Sequence, residues 1–239
     1  MAEYRLGRSW AATELDERLE DLKRLSRNFS VLPEQMTLEN GWHQYYSQSV
    51  VARERPGAPE ADGPFERCRL AVMNYEFSDR SIVTGHFDPY VPLLGRPMLL
   101  EVKAFRFLHY LSGVLVSAVR SEENENETVF GFRYDTLEGH IERGYEWFLL
   151  KKEHETGDIR FRIEAAWQPG QFPNWWSRVG FSLVAPHYQR AWHRRAHALL
   201  AEISRDPNYE TADYGSIVDS ETDIEFRRIR ARRLRQEGG

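Results

Sequence analysis

The chain has 239 residues, 41% hydrophobic and 29% charged, which suits one large domain with short tails. Its formal charge is −5, which argues against a dedicated nucleic-acid binder, because such proteins meet phosphates with a basic surface. Cys68 is the only cysteine, so neither an internal disulfide nor a thiolate metal cluster can form. Its setting, Arg67-Cys68-Arg69-Leu70, fits a buried inert thiol.

The first ten residues lack the apolar core of a secretory signal. No apolar run approaches the ~20 residues that span a bilayer, so a soluble, cytoplasmic protein is expected. Thr13 and Asp16 read as a variant capping box opening a helix to about Arg27, with Leu15, Leu19, Leu22 and Leu25 as one apolar stripe. Trp42 to Val51 reads as a first strand. The turn residues Arg55-Pro56-Gly57 and Asp62-Gly63-Pro64 follow. Pro64 then opens a helix to about Tyr75, with Leu70, Met73 and Phe77 turned inward.

Six more strands are expected: Ser81–Phe87, Pro97–Phe107, Leu111–Arg120, Thr128–Tyr134, Gly144–Lys152 and Asp158–Trp167. The acidic run Glu122, Glu123, Glu125 and Glu127 marks a solvated hairpin loop, and His154-Glu155-Thr156-Gly157 marks another. The alternation is clearest in the last strand, where Ile159, Phe161, Ile163, Ala165 and Trp167 face one way and Arg160, Arg162 and Glu164 the other. Phe130, Phe132 and Tyr134 repeat the pattern. A helix from Pro173 to about Arg205 carries Tyr188, Trp192, Ala196, Leu199, Leu200 and Ile203 on one face, with Pro186 expected to kink or divide it.

This order predicts an α+β fold of the helix-grip kind: a curved antiparallel sheet of about six to seven strands around a long C-terminal helix, plus an N-terminal helix. Residues 1–40 form the N-terminal helical segment and 41–206 the helix-grip domain. Residues 207–239 are a polar to arginine-rich tail, suited to contact an anionic surface or an acidic partner.

Phe132-Arg133-Tyr134-Asp135-Thr136-Leu137-Glu138-Gly139-His140-Ile141-Glu142-Arg143-Gly144 is the most distinctive stretch. With Glu146-Trp147-Phe148 and Trp167-Gln168-Pro169, it resembles the uncharacterised family called domain of unknown function nineteen-ninety. Asp135 stands where that pattern has a glycine, and Tyr145 where it has a glutamate. The resemblance covers about Gly41 to Arg205. It implies kinship with the START and birch-pollen-allergen helix-grip proteins, hence a ligand cavity, and it offers no catalytic residues to carry over.

Three functions stay open. The first is a binding module for a small apolar or amphipathic molecule, without a cofactor or metal. Its walls would be Phe130, Phe132, Tyr134, Phe148, Phe161, Ile163, Trp167 and Trp192, with Tyr134, His140 and His86 as polar contacts. The second is an enzyme using Glu138, His140 or Glu142, which share one face if their segment is extended. That reading requires the three to converge inside a cavity rather than cap backbone groups. A protein-interaction module built on the leucine stripe or the basic tail is a third possibility. His193 and His197, four apart beside Arg194 and Arg195, are expected to face solvent. No Gly-x-Ser-x-Gly elbow, phosphate loop or dinucleotide fingerprint occurs.

Overall fold

The structure, a computed structural model, describes residues 2–104, 107–170, 175–209 and 225–228. In chain order its elements are β1 (Ala2–Leu6), α1 (Ala12–Leu22), a 3-10 turn (Pro33–Gln35), β2 (His43–Arg53), α2 (Pro64–Met73), β3 (Val83–His86), β4 (Pro97–Ala104), β5 (Leu108–Glu123), β6 (Glu127–Thr136), β7 (Glu142–Glu153), β8 (Asp158–Pro169), α3 (Trp175–Ile203) and β9 (Glu225–Arg228). All seven expected strands are present, as β2 to β8. The sheet gains two more that the sequence reading placed in a helical segment and a tail.

The strand order is β3-β4-β5-β6-β7-β8-β2-β9, with β1 pairing beside β5 off that path. Every pairing is antiparallel. β5 is long because it serves three partners, β1 and β4 with its first half and β6 with its second. Register shifts at Val50/Ala52 and Val116/Ala118 add a residue to one strand of a pair, a device that bends and twists a sheet. Of the basic tail, residues 225–228 form β9 against β2, and residues 229–239 lie outside the described residues.

The sheet's inner face carries the main core. Phe132, Phe148, Phe161 and Ile163 are fully buried there beneath Trp192, Ala196, Leu199, Leu200 and Ile203 of α3. This is the helix-grip arrangement the alternation predicts. Tyr188 lies outside the described side chains. Pro186 does not divide α3, which runs unbroken from Trp175 to Ile203. One interior proline costs about 3 kcal/mol, and the burial of the helix's second half offsets it.

The other two helices also depart from expectation in detail. The first turn of α1 is closed by Glu14, whose carboxylate accepts the Ala11 N–H at 2.8 Å, and not by Thr13. Its leucine stripe packs on the sheet's outer face with Trp10, Leu99, Leu111 and Leu137. In α2 the buried positions are Phe65, Cys68, Ala71 and Val72, while Leu70 and Met73 sit half-buried at the margin of the core. Cys68 is fully buried, as its apolar surroundings suggest, and burial pushes its thiol well up.

Tyr75 ends α2 in the left-handed region, at φ 59°. The Glu76 N–H reaches Ala71 O and the Tyr75 N–H reaches Val72 O, the paired bonds of a Schellman cap with tyrosine where glycine is usual. A bulky residue there is strained. The conformation drops the Tyr75 ring into the core, 4.9 Å from Phe77 and 5.6 Å from Phe148.

Candidate functional site

Strand pairing lines the inner face up in rows. Phe132, Phe148, Ile163 and Ser47 form one row across β6, β7, β8 and β2, and Tyr134, Glu146, Ala165 and Tyr45 form the next. The first row is sealed. In the second, Glu146 and Tyr45 are half-buried. Beyond them Glu142, Trp167 and His43 are half-buried too, with the Trp167 and His43 rings in tilted contact at 4.5 Å. The same face therefore passes from a closed aromatic core to a partly open patch of aromatic rings and carboxyl groups.

Glu146 is the hub of that patch. Tyr134 lies directly opposite on β6 and its hydroxyl donates to Glu146 Oε2. On the other side His193 Nε2 lies 3.8 Å from Glu146 Oε1. Burial pushes the Glu146 carboxyl up to about 8. The Tyr134 bond works against that shift, and nearby Glu142 adds to it. Burial alone pushes Glu142 up to about 7. Among the described residues no Lys or Arg pairs with either carboxyl.

A hydrogen-bonded chain continues from His193. Its Nδ1 lies 2.6 Å from Ser47 Oγ, which lies 2.9 Å from His197 Nε2, and His197 Nδ1 lies 2.7 Å from Ser49 Oγ. His193 and His197 are fully buried, which corrects the expectation that they face solvent. The physical reason is helical phase: four residues apart, they sit beside Trp192, Ala196 and Leu200 on the gripping face, and Arg194 is exposed. Burial holds both imidazoles below their ordinary range, His197 at about 3.

The other sequence candidates fall into four groups. Phe130, Phe132, Tyr134, Phe148, Phe161, Ile163 and Trp192 all belong to the one main core and fill it with each other. Phe148 alone meets Phe77, Phe132, Tyr134 and Trp192 at centroid distances of 4.8 to 6.2 Å. Trp167 lies at the open end, outside that cluster. His86 is on the opposite face. It pairs in register with Leu99 of the outer cluster, and its Nε2 lies 3.0 Å from Glu101.

Glu138, His140 and Glu142 do not share a face, because their segment turns instead of extending. Glu138 is exposed and its carboxylate accepts the Ser26 N–H at 3.3 Å. His140 is buried, but its Nδ1 accepts the Glu142 N–H at 2.9 Å, a backbone cap. Burial lowers the His140 imidazole to about 4. Only Glu142 of the three faces inward. Sequence reasoning missed Glu146, Ser47 and Ser49, although their parity with Phe148 and Val51 was a usable signal.

Two surface clefts of about 590 and 490 Å³ lie elsewhere, the first beside Arg53, Pro64, Arg67 and Arg205, the second beside Leu15, Leu19, His86 and Phe87. No group of three or more metal-binding side chains occurs among the described residues. No described helix is long and apolar enough to cross a membrane.

A family model described as a domain of unknown function (DUF1990) matches residues 31–198. The chain belongs to that family. No curated protein matches it significantly. Among solved structures, it resembles a hypothetical protein, jhp0584, from Helicobacter pylori. That match has 12% identity and a TM-score of 0.46, over 75% of this chain and 98% of the other. It also resembles Ara h 8.0201, with 12% identity and a TM-score of 0.40, over 70% of this chain and all of that one.

Proposed function

We propose that the protein holds a small amphipathic molecule at the open end of its inner face. The apolar part would rest on Tyr45, Tyr134 and Trp167, and the polar part would meet Glu142 and Glu146. The observation that carries this reading is the passage, on one face, from a sealed core to half-buried rings and two desolvated carboxyl groups without cationic partners among the described residues. Apolar area with a few convergent polar groups is the usual make-up of a small-molecule site. The binding place thus moves away from Phe130, Phe132 and Phe161, whose side chains occupy the core themselves.

Native mass spectrometry of protein purified from its host tests the reading. A co-purifying small molecule, lost or reduced in Glu146→Gln and Tyr134→Phe, is the expected result. Protein that carries no such molecule and takes up no apolar fluorescent probe would overturn it. The rival is an acid/base enzyme on the same scaffold. What favours it is Glu146, a carboxyl that keeps its proton near neutral pH.

A further inference from the structure

Glu146, His193, Ser47, His197 and Ser49 lie in one line from sheet to helix and back, with successive separations of 3.8, 2.6, 2.9 and 2.7 Å. Ser47, His193 and His197 are wholly buried, and Ser49 keeps 4% exposure. A neutral imidazole has one N–H and one bare nitrogen, and a hydroxyl has one hydrogen. Ser47 therefore cannot donate to both rings. If it donates to His193 Nδ1 it must accept from His197 Nε2, and the reverse holds equally.

We propose that these five groups form one proton relay serving Glu146, which gives the site an acid/base activity in addition to binding. The relay has two settings. In the first, Glu146 is ionised, His193 and His197 both carry hydrogen on Nε2, Ser47 donates to His193, and Ser49 donates to His197. In the second, Glu146 is protonated, both rings carry hydrogen on Nδ1, and both serines receive what they formerly gave.

Passing from the first to the second breaks five bonds to hydrogen and forms five. Glu146 takes the His193 Nε2 proton, His193 Nδ1 takes that of Ser47, and Ser47 takes that of His197 Nε2. His197 Nδ1 then takes that of Ser49, and Ser49 takes one from hydronium, leaving water. The net result is one proton in at Ser49 and one on Glu146. A bound molecule with a basic carbonyl oxygen or imine nitrogen is the class that such a carboxylic acid would serve. The 3.8 Å separation at Glu146 is longer than a hydrogen bond, so transfer at that step requires the carboxyl and the imidazole to approach.

The surroundings favour neutral rings. Tyr45 stands edge-on to His193 at 4.8 Å, Trp192 at 5.3 Å, and Phe161 faces His197 at 5.3 Å. Among the described residues, the charged and titratable groups near by include Glu142, which acts on Glu146, Tyr75, which feels Glu146, and Arg190 and Arg194, which act on Tyr45. Tyr134 holds the other oxygen of Glu146.

The proposal rests on Glu146 being the polar end of the binding site, but its readout needs no ligand, so the two can fail separately. The test is a long-range proton–nitrogen spectrum of 15N-histidine-labelled protein from pH 5 to 9. His193 and His197 are expected to hold the same tautomer at each pH and to change together, with a single midpoint near the Glu146 value of about 8. Ser47→Ala is expected to uncouple the rings, Ser47→Thr to restore the coupling, and Glu146→Gln to abolish the change in both. Opposite tautomers in the wild type, coupled change in Ser47→Ala, or an unaltered midpoint in Glu146→Gln would each overturn the proposal. If Ser47→Ala fails to fold, the wild-type titration and Glu146→Gln still decide it.

Discussion

Lys152 Nζ lies 2.6 Å from Glu54 Oε2, and neither side chain reaches solvent. Glu54 also accepts the Phe65 N–H at the start of α2, and Lys152 donates to Ala58 O, so the pair ties β7 to the loop between β2 and α2 and to the first turn of that helix. Lys152→Met leaves a buried carboxylate without its cation, a change that costs about 3–5 kcal/mol. Urea denaturation should show a loss of that size. A loss below about 1 kcal/mol would mean that the pair is not dry.

Phe148 is the ring on which the core turns, since Tyr75, Phe77, Phe132, Tyr134 and Trp192 all pack against it. Removing it opens a cavity that five neighbours hold from every side. Phe148→Ala should destabilise by about 3–5 kcal/mol, and Phe148→Leu by distinctly less. Thermal unfolding of the two variants separates cavity formation from simple loss of apolar area.

Gly144 has φ 153°, and a Cβ there would come within 2.0 Å of Ala166 O. Gly144→Ala must push β8 away from β7 beside Glu142 and Glu146. The expected cost is about 1–3 kcal/mol from the backbone conformation, before any damage to the ladder. Amide hydrogen exchange should accelerate first at Tyr145 and Ala166, and uniform acceleration across the sheet would count against a local effect.

Two carboxyl groups should give opposite pH signatures. Burial would raise Glu101, but hydrogen bonds from His86, Ser9 and His109 outweigh it and hold the group at about 2, against an ordinary 4.5. The folded state then binds fewer protons than the unfolded one, so this stability is present above pH 4.5 and lost as pH falls toward 2. Glu146, raised to about 8, works the other way: its contribution is best below pH 4.5 and declines as pH rises through 8. Glu101→Gln should flatten the acid limb of a stability–pH curve and Glu146→Gln the decline between pH 4.5 and 8. Exchanged effects would refute both assignments.

The architecture was legible where burial follows a clean period. β8 announced itself through Ile159, Phe161 and Ile163, and the second half of α3 through Trp192, Leu199 and Ile203. β1 and β9 were not legible, because at five and four residues they are too short to show an alternation of their own. The site was hidden for a different reason. Ser47, Ser49, His193 and His197 occupy inward positions of correct period, but each is a polar residue type that ordinarily faces water. They are tolerated inside only because they hydrogen-bond one another, and that cross-pairing is a tertiary fact. Glu138 and His140 misled through their alternation, which a turn at Gly139 breaks.

The place of β2 in the sheet also governs how the chain can be made. Its main partner is β8, and Arg53 meets Asp158 across 105 residues of sequence. At roughly 5–20 residues per second, a ribosome leaves β2 without that neighbour for about 5–20 s. A strand of aliphatic residues, bare on both edges for so long, would be ready to join a stranger. β2 instead carries the hydroxyls of Ser47 and Ser49 on the face that later meets α3. Two hydroxyls where valine or isoleucine would otherwise stand make that face less apolar, and low apolarity is what weakens side-by-side stacking of unpaired strands.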